Sequence, residues 1–189
     1  MKILKIAALF VISALILSSC SGKMSADDLA REVKKSYTES DHISMNAEIT
    51  ANYAARAWRF LVKYEGGSGG GTVTILEPEN VSGISARIDA DGVTLVYDGA
   101  EVFTGEVTED GLSPVDALPV IVSLWRGGIV TGAAWETADG EKCLAVSYRI
   151  TDGVTARTLF DAETLLPVSA ELIRGGYAVL SLRFLNVTF

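Results

Sequence analysis

Asp-Gly steps between short alternating segments constrain this chain more than any other feature. Residues 84–107 read ISARIDADGVTLVYDGAEVFTGEV. Val93, Leu95 and Tyr97 alternate with Thr94 and Val96, the period of two that sends neighbouring side chains to opposite faces of a sheet. Asp91-Gly92 precedes that run and Asp98-Gly99 follows it. Such dipeptides mark tight hairpins, because a type I′ turn needs positive φ at both central residues. The segment therefore reads as a three-strand antiparallel meander around which the rest of the chain is organised.

The same grammar recurs on both sides of it. Ile43, Met45, Ala47 and Ile49 alternate with polar residues, and Asn52-Tyr53 is expected to turn that strand back into residues 56–64, where Trp58, Phe60 and Val62 share a face. Residues 65–71 (EGGSGGG) read as a mobile hairpin loop. They cannot be a phosphate-binding loop, since no Lys-Ser/Thr pair and no apolar helix follow. Residues 73–76 form a short strand stopped by Pro78. Later runs at 133–137, 142–150, 154–160, 168–174 and 178–188 are separated by Asp139-Gly140, Asp152-Gly153, residues 161–167 and Gly175-Gly176. Short connections make the sheet antiparallel. Leu180, Leu182 and Phe184 oppose Val179, Leu185 and Val187, so both faces carry apolar side chains and both need cover, or one lines a cavity.

Two stretches change period. Ser25 and Asp28 form a capping box ahead of Leu29, Val33 and Tyr37, which recur every fourth residue opposite Arg31, Lys34 and Lys35. That basic face is either solvated or against a membrane. Ser113-Pro114 is read as the start of a second helix, ending at Gly127-Gly128, with Pro119 bending it. Leu118, Ile121, Val122 and Trp125 share one side of it, and the run ALPVIVSLW is apolar nearly all round. A helix of that kind is buried on most sides.

Residues 1–19 read as a signal peptide. Lys2 and Lys5 precede a twelve-residue apolar run, 6–17, too short for a bilayer that needs roughly 20 residues. The ending Leu17-Ser18-Ser19-Cys20 resembles the bacterial lipobox, which implies diacylglycerol and palmitate on Cys20 and residues 20–24 as a tether. The alternative is an ordinary signal peptide with an incidental cysteine. Cleavage before Cys20 leaves 170 residues and removes two lysines, taking the formal charge from −8 to −10. Residues 25–189 suit one domain. The acidic balance argues against nucleic acid and against adhesion to anionic lipid heads, so membrane attachment would rest on the acyl chains. Cys143 has no partner for an intrachain disulfide once Cys20 is modified, and reads as a buried small hydrophobe in a strand.

Catalytic chemistry finds little purchase. His42 is the single histidine, so a histidine- or cysteine-based zinc site is not expected. No nucleophile elbow accompanies it. The acid pairs Asp89/Asp91 and Asp161/Glu163 fall at turns, where aspartate bonds its own backbone. Neither catalytic residues nor a cofactor are expected. Arg56, Arg59, Arg149 and Arg157 are either solvated or meet an anionic head group. Trp58, Phe60, Leu95, Tyr97, Phe103, Leu118, Ile121 and Trp125 either line a ligand cavity or pack as an ordinary core.

The segments DGVTLVYDGAEVFTGEV (91–107) and LFDAETLLPVSAEL (159–172), with Asp161, Leu166 and Pro167 in the second, resemble the LolA/LolB-like superfamily of lipoprotein-localisation factors. The resemblance implies a mainly β, α+β fold: a curved antiparallel half-barrel of about eleven strands covered by an N-terminal and a mid-chain helix. It also implies a membrane-anchored, non-enzymatic envelope protein on the extracytoplasmic side that holds a lipid or acyl chain. The alternative is a protein–protein adaptor with a self-filled barrel, as in anchored relatives of spore-forming bacteria, one of which works with a cell-wall amidase.

Overall fold

The computed structural model describes residues 24–53, 56–105 and 112–189. The signal peptide and Cys20 lie outside the described residues. Helix α1 spans Ala26–Glu39 and α2 spans Ala117–Gly127. The strands are β1 (His42–Tyr53), β2 (Arg56–Gly67), β3 (Gly70–Glu77), β4 (Ser85–Asp89), β5 (Gly92–Tyr97), β6 (Ala100–Gly105), β7 (Ile129–Ala138), β8 (Glu141–Thr151), β9 (Val154–Asp161), β10 (Pro167–Arg174) and β11 (Tyr177–Thr188).

All eleven strands form one antiparallel sheet in the order β6-β5-β4-β3-β2-β1-β11-β10-β9-β8-β7. Hairpins walk outward from β1 to the β6 edge. The chain then crosses through α2 to the opposite edge, β7, and walks back until β11 pairs with β1. Among the described residues the sheet does not close, and with the two α-helices described it is the α+β half-barrel expected. The 84–107 meander, however, sits at one margin. The centre is β1 and β11, which pair from Ala51↔Leu180 to Ser44↔Thr188.

Alternation explains which face the helices cover. Odd positions of β1 (Ile43, Met45, Ala47, Ile49, Ala51) are buried beneath the helices. The matching positions across the sheet include Val62 and Tyr64 of β2, Leu180, Leu182 and Phe184 of β11, and Ala156, Thr158 and Phe160 of β9. Leu29, Val33 and Tyr37 of α1 complete the core, as their four-residue spacing predicts. The capping box forms: the Asp28 amide donates to Ser25 Oγ (3.1 Å) and the Ser25 amide to Asp28 Oδ2 (3.3 Å). On the outer face, Glu48 pairs with Arg183 (2.8 Å) and Arg157 with Glu136. Cys143 is buried, and desolvation pushes its thiol pKa up.

Several local expectations are corrected. Asp98-Gly99, Asp139-Gly140 and Gly175-Gly176 do adopt positive φ at both residues. The turn before β5, though, is Ala90-Asp91, closed by the Asp91 amide donating to Asp89 Oδ1 (3.0 Å), and Gly92 is already in the strand. Asn52-Tyr53 continues β1 instead of turning it. Ser113 does act as a cap, but of a turn: its hydroxyl accepts from the Asp116 amide (3.1 Å), and α2 begins only at Ala117. Pro119 therefore falls in the first helical turn, where the amide it lacks has no intrahelical partner to lose.

The glycine run is the largest correction. Gly66 pairs with Gly71 and Gly67 with Gly70, leaving only Ser68 and Gly69 as the turn. Glycine is required by close packing. A Cβ on Gly66 would lie 2.3 Å from the Tyr64 hydroxyl, and one on Gly67 2.4 Å from the Asp41 carbonyl oxygen. Gly70 combines φ +132° with a Cβ position 2.1 Å from the Ile88 carbonyl oxygen. Gly70→Ala is expected to cost about 2–3 kcal/mol, from left-region strain plus a backbone clash. Gly69→Ala meets nothing within 4 Å and should be close to neutral. Urea denaturation of the two variants checks this pair.

Candidate functional site

The face beneath the helices is closed in its middle by an aromatic cluster. Trp125 lies 4.9 Å from Tyr37, 5.5 Å from Phe160 and 5.4 Å from Phe184 between ring centroids. The Phe189 ring lies tilted against Tyr37, 4.8 Å between centroids. Each polar tip in the cluster has a partner: Trp125 Nε1 donates to Thr158 Oγ1 (3.1 Å) and the Tyr37 hydroxyl to the Leu165 carbonyl (3.3 Å). Burial drives the Tyr37 and Tyr148 phenols well above the usual tyrosine range, so both stay neutral.

Arg126 locks the ends of the helices to the sheet, a role that sequence reading missed. Its guanidinium donates to three carbonyls: Tyr37 (3.1 Å) and Ser40 (3.1 Å) at the end of α1, and Gly67 (2.5 Å) in β2. Helix α1 has no basic residue in its own last turn. Arg126 supplies that charge from α2, beside the negative end of the α1 dipole. Ser or Gly carbonyl acceptors leave no trace in a sequence, and an Arg next to a Gly-Gly helix end reads as an ordinary terminal cation.

The eight apolar side chains singled out from the sequence fall into three groups. Leu118, Ile121 and Trp125 of α2 are fully enclosed in the core. Phe60 and Leu95 are half-buried against it. Trp58, Tyr97 and Phe103 are 50%, 54% and 63% exposed. Phe103 also stands on the other face. The two-residue Asp98-Gly99 turn pairs Tyr97 with Ala100 and Leu95 with Val102, so odd positions of β5 share a face with even positions of β6. Phe103 thus joins Glu101 and Arg87 outside, and Val102, 58% exposed, takes its place beside Leu95. The turn length in the sequence contained this information.

Trp58 and Phe60 of β2, and Leu95, Tyr97 and Val102 of the β5–β6 hairpin, are therefore two incompletely covered parts of the helix-bearing face, with the buried Val73, Ile75 and Ala86 of β3 and β4 between them. The start of the α2 segment lies near the first of them, since the Tyr53 hydroxyl donates to the Leu112 carbonyl (2.9 Å). Leu112 and Val115 are half-buried there. A groove of ≈ 650 Å³ opens on the outer face, lined by Glu48, Arg59, Leu61, Glu77, Arg183 and Leu185, with Phe60 also at its wall. Charged and apolar side chains share its walls in about equal measure. Among the described residues no group of three His, Cys, Asp or Glu side chains is placed to hold a metal ion, and no helix is long and apolar enough to cross a membrane.

No protein-family model matches this sequence, and no curated protein matches it either. Solved structures do match over most of the chain. A LolA superfamily protein from Nitrosomonas europaea is 11% identical, with 88% of this chain and 94% of that one covered and a TM-score of 0.50. A conserved protein from Thermus thermophilus gives a TM-score of 0.54 at 9% identity, covering 87% of each chain. A domain assigned to outer-membrane lipoprotein sorting in Vibrio parahaemolyticus gives 0.50 at 12% identity, covering 87% of this chain and 93% of that one. The chain has a LolA-like fold.

Proposed function

We propose that this protein is a non-enzymatic cell-envelope lipoprotein, anchored through a diacylglycerol on Cys20 and facing the extracytoplasmic side. It binds the acyl portion of a lipid or acylated ligand against the uncovered parts of the helix-bearing face, which carry Trp58, Phe60, Leu95, Tyr97 and Val102. One observation carries this reading: large apolar side chains stay exposed on the very face that α1 and α2 cover elsewhere. A chain covering about 200 Å² of that face gains about 5 kcal/mol at roughly 25 cal/mol per Å², before the cost of immobilising it. Leu118, Ile121 and Trp125 of α2 pack into the neighbouring core.

The second reading, an envelope adaptor, draws on those same three residues. They fill the space under the helices, which is what a self-filled barrel requires. The two readings part in a titration with a fluorescent fatty acid, dansyl-undecanoate. Trp58→Glu and Tyr97→Glu are each expected to weaken binding at least tenfold without lowering thermal stability, because both side chains are already half in water. Phe103→Glu, on the outer face, should leave binding unchanged. Equal loss in all three variants, or no binding by the parent protein, would remove the ligand reading and favour the adaptor.

A further inference from the structure

Helix α2 is apolar along Ala117–Gly127 except at Ser123 and Arg126, and both of these line one cavity. It measures ≈ 390 Å³, lies between α2 and the glycine hairpin of β2 and β3, and falls within the size range of small-ligand pockets. Pro119 and Val122 complete the helix side at helical spacing, and Ile88 of β4 adds to the apolar part. Neither Trp58 nor Tyr97 belongs to this cavity. Tyr64 of β2 faces it from the sheet. The Tyr64 ring lies over the hairpin glycines: a Cβ on Gly71 would fall 2.9 Å from Tyr64 Cε2, and one on Gly66 2.3 Å from the hydroxyl. Gly66 and Gly71 are partners across β2 and β3, so two paired positions stay bare to seat this one side chain.

Two polar groups in the cavity exceed what the fold itself uses. Tyr64 is 4% exposed, yet among the described residues its hydroxyl makes no hydrogen bond. A phenylalanine would pack the same ring without burying an unpartnered hydroxyl, which is unfavourable. The Arg126 guanidinium has five N–H donors and commits one each to the Tyr37, Ser40 and Gly67 carbonyls, leaving two. All three acceptors are neutral. Among the described residues Arg126 enters no ion pair, whereas Arg157 and Arg183 each have a carboxylate partner. The two groups also sense each other: burial pushes the Tyr64 phenol pKa up, and the Arg126 charge opposes that rise.

We infer that this cavity is a second binding site, for a small organic carboxylate with a compact apolar body. The carboxylate oxygens accept from the Tyr64 hydroxyl and from the two uncommitted Arg126 N–H groups. The apolar body rests on Ile88, Pro119 and Val122. Such a ligand supplies Arg126 with the counter-charge that its carbonyl partners do not, and hydrogen bonds to ionised groups are the stronger kind. Ser123 is exposed, so the cavity opens to solvent on its side.

The test follows amide spectra of isotope-labelled residues 21–189 during titration with cyclohexanecarboxylate. Cyclohexanecarboxamide serves as the neutral control, and inorganic phosphate as an anion without an apolar body. Saturable shifts are expected at Gly67, Gly70, Gly71 and Arg126 with the carboxylate, and binding at least tenfold weaker with either control. Tyr64→Phe should weaken carboxylate binding about tenfold, the effect of one hydrogen bond to a charged group, without lowering the thermal midpoint. Ser123→Trp fills the open side and should abolish binding. Trp58→Glu should bind as the parent does, so this site and the acyl-binding face stand or fall separately. The inference is overturned by the absence of saturable shifts with the carboxylate, or by equal or tighter binding of either control. Unchanged binding by Tyr64→Phe or Ser123→Trp, or its loss in Trp58→Glu, would overturn it as well.

Discussion

Trp125→Ala is expected to lower the unfolding free energy by about 3–5 kcal/mol, the range for deleting a large aromatic from a closed core. Trp125 is 1% exposed and touches Tyr37, Phe160 and Phe184, which come from α1, β9 and β11. No single neighbour can relax into the vacated space without pulling its own element. A subtler variant isolates the polar part. Trp125→Phe keeps most of the ring contacts but leaves the fully buried Thr158 hydroxyl without its partner. An orphaned buried hydroxyl costs about 1–3 kcal/mol. Adding Thr158→Val should recover part of that loss, whereas simple packing damage would make the double variant worse. Urea denaturation of the four proteins decides between these outcomes.

The second large effect is expected at Arg126. Arg126→Met removes three charge-assisted hydrogen bonds and should cost about 3 kcal/mol, less than their sum because such bonds are not additive and the group is only half-buried. The loss should be local before it is global. Hydrogen exchange is expected to speed up at the last turn of α1 and in the β2–β3 glycine hairpin, the segments whose carbonyls Arg126 holds. Arg126→Lys should rescue little, since an ammonium on a flexible stem cannot reach three acceptors in a fixed fork. Uniform loss of protection across the sheet would mean that Arg126 contributes only bulk.

The period of two and the doubled glycine or Asp-Gly turns made the sheet, its antiparallel sense and its strand number legible. The four-residue spacing of Leu29, Val33 and Tyr37 did the same for α1. Local signals failed where tertiary contact decides. Gly66, Gly67, Gly70 and Gly71 look like a flexible loop by composition, yet each is needed because Tyr64, Asp41 or Ile88 presses on it. The β6–α2–β7 crossing, which puts the meander at a margin, rests on contacts that no window of sequence contains. Ser113-Pro114 carried the chemistry of a helix start, and the turn it caps delays the helix by three residues.

The candidate site was half legible. Apolar character picked out side chains of β2 and β5 that share the helix-bearing face, but it could not separate Leu118, Ile121 and Trp125, which the fold encloses, from Trp58 and Tyr97, which it leaves half in water. Phe103 stands on the opposite face from Leu95 and Tyr97, and the turn length alone contains this. Counting through a two-residue turn inverts the parity of the following strand, and that count selects Val102.

The central claim is that the uncovered part of the helix-bearing face holds an acyl chain. Native mass spectrometry of residues 21–189, purified from cells and then challenged with palmitate and with phosphatidylglycerol vesicles, tests it most directly. The account predicts an added mass of lipid size that solvent extraction releases, and its absence from a folded Trp58→Glu variant. A folded parent protein that is empty as purified and stays empty after both challenges would contradict it.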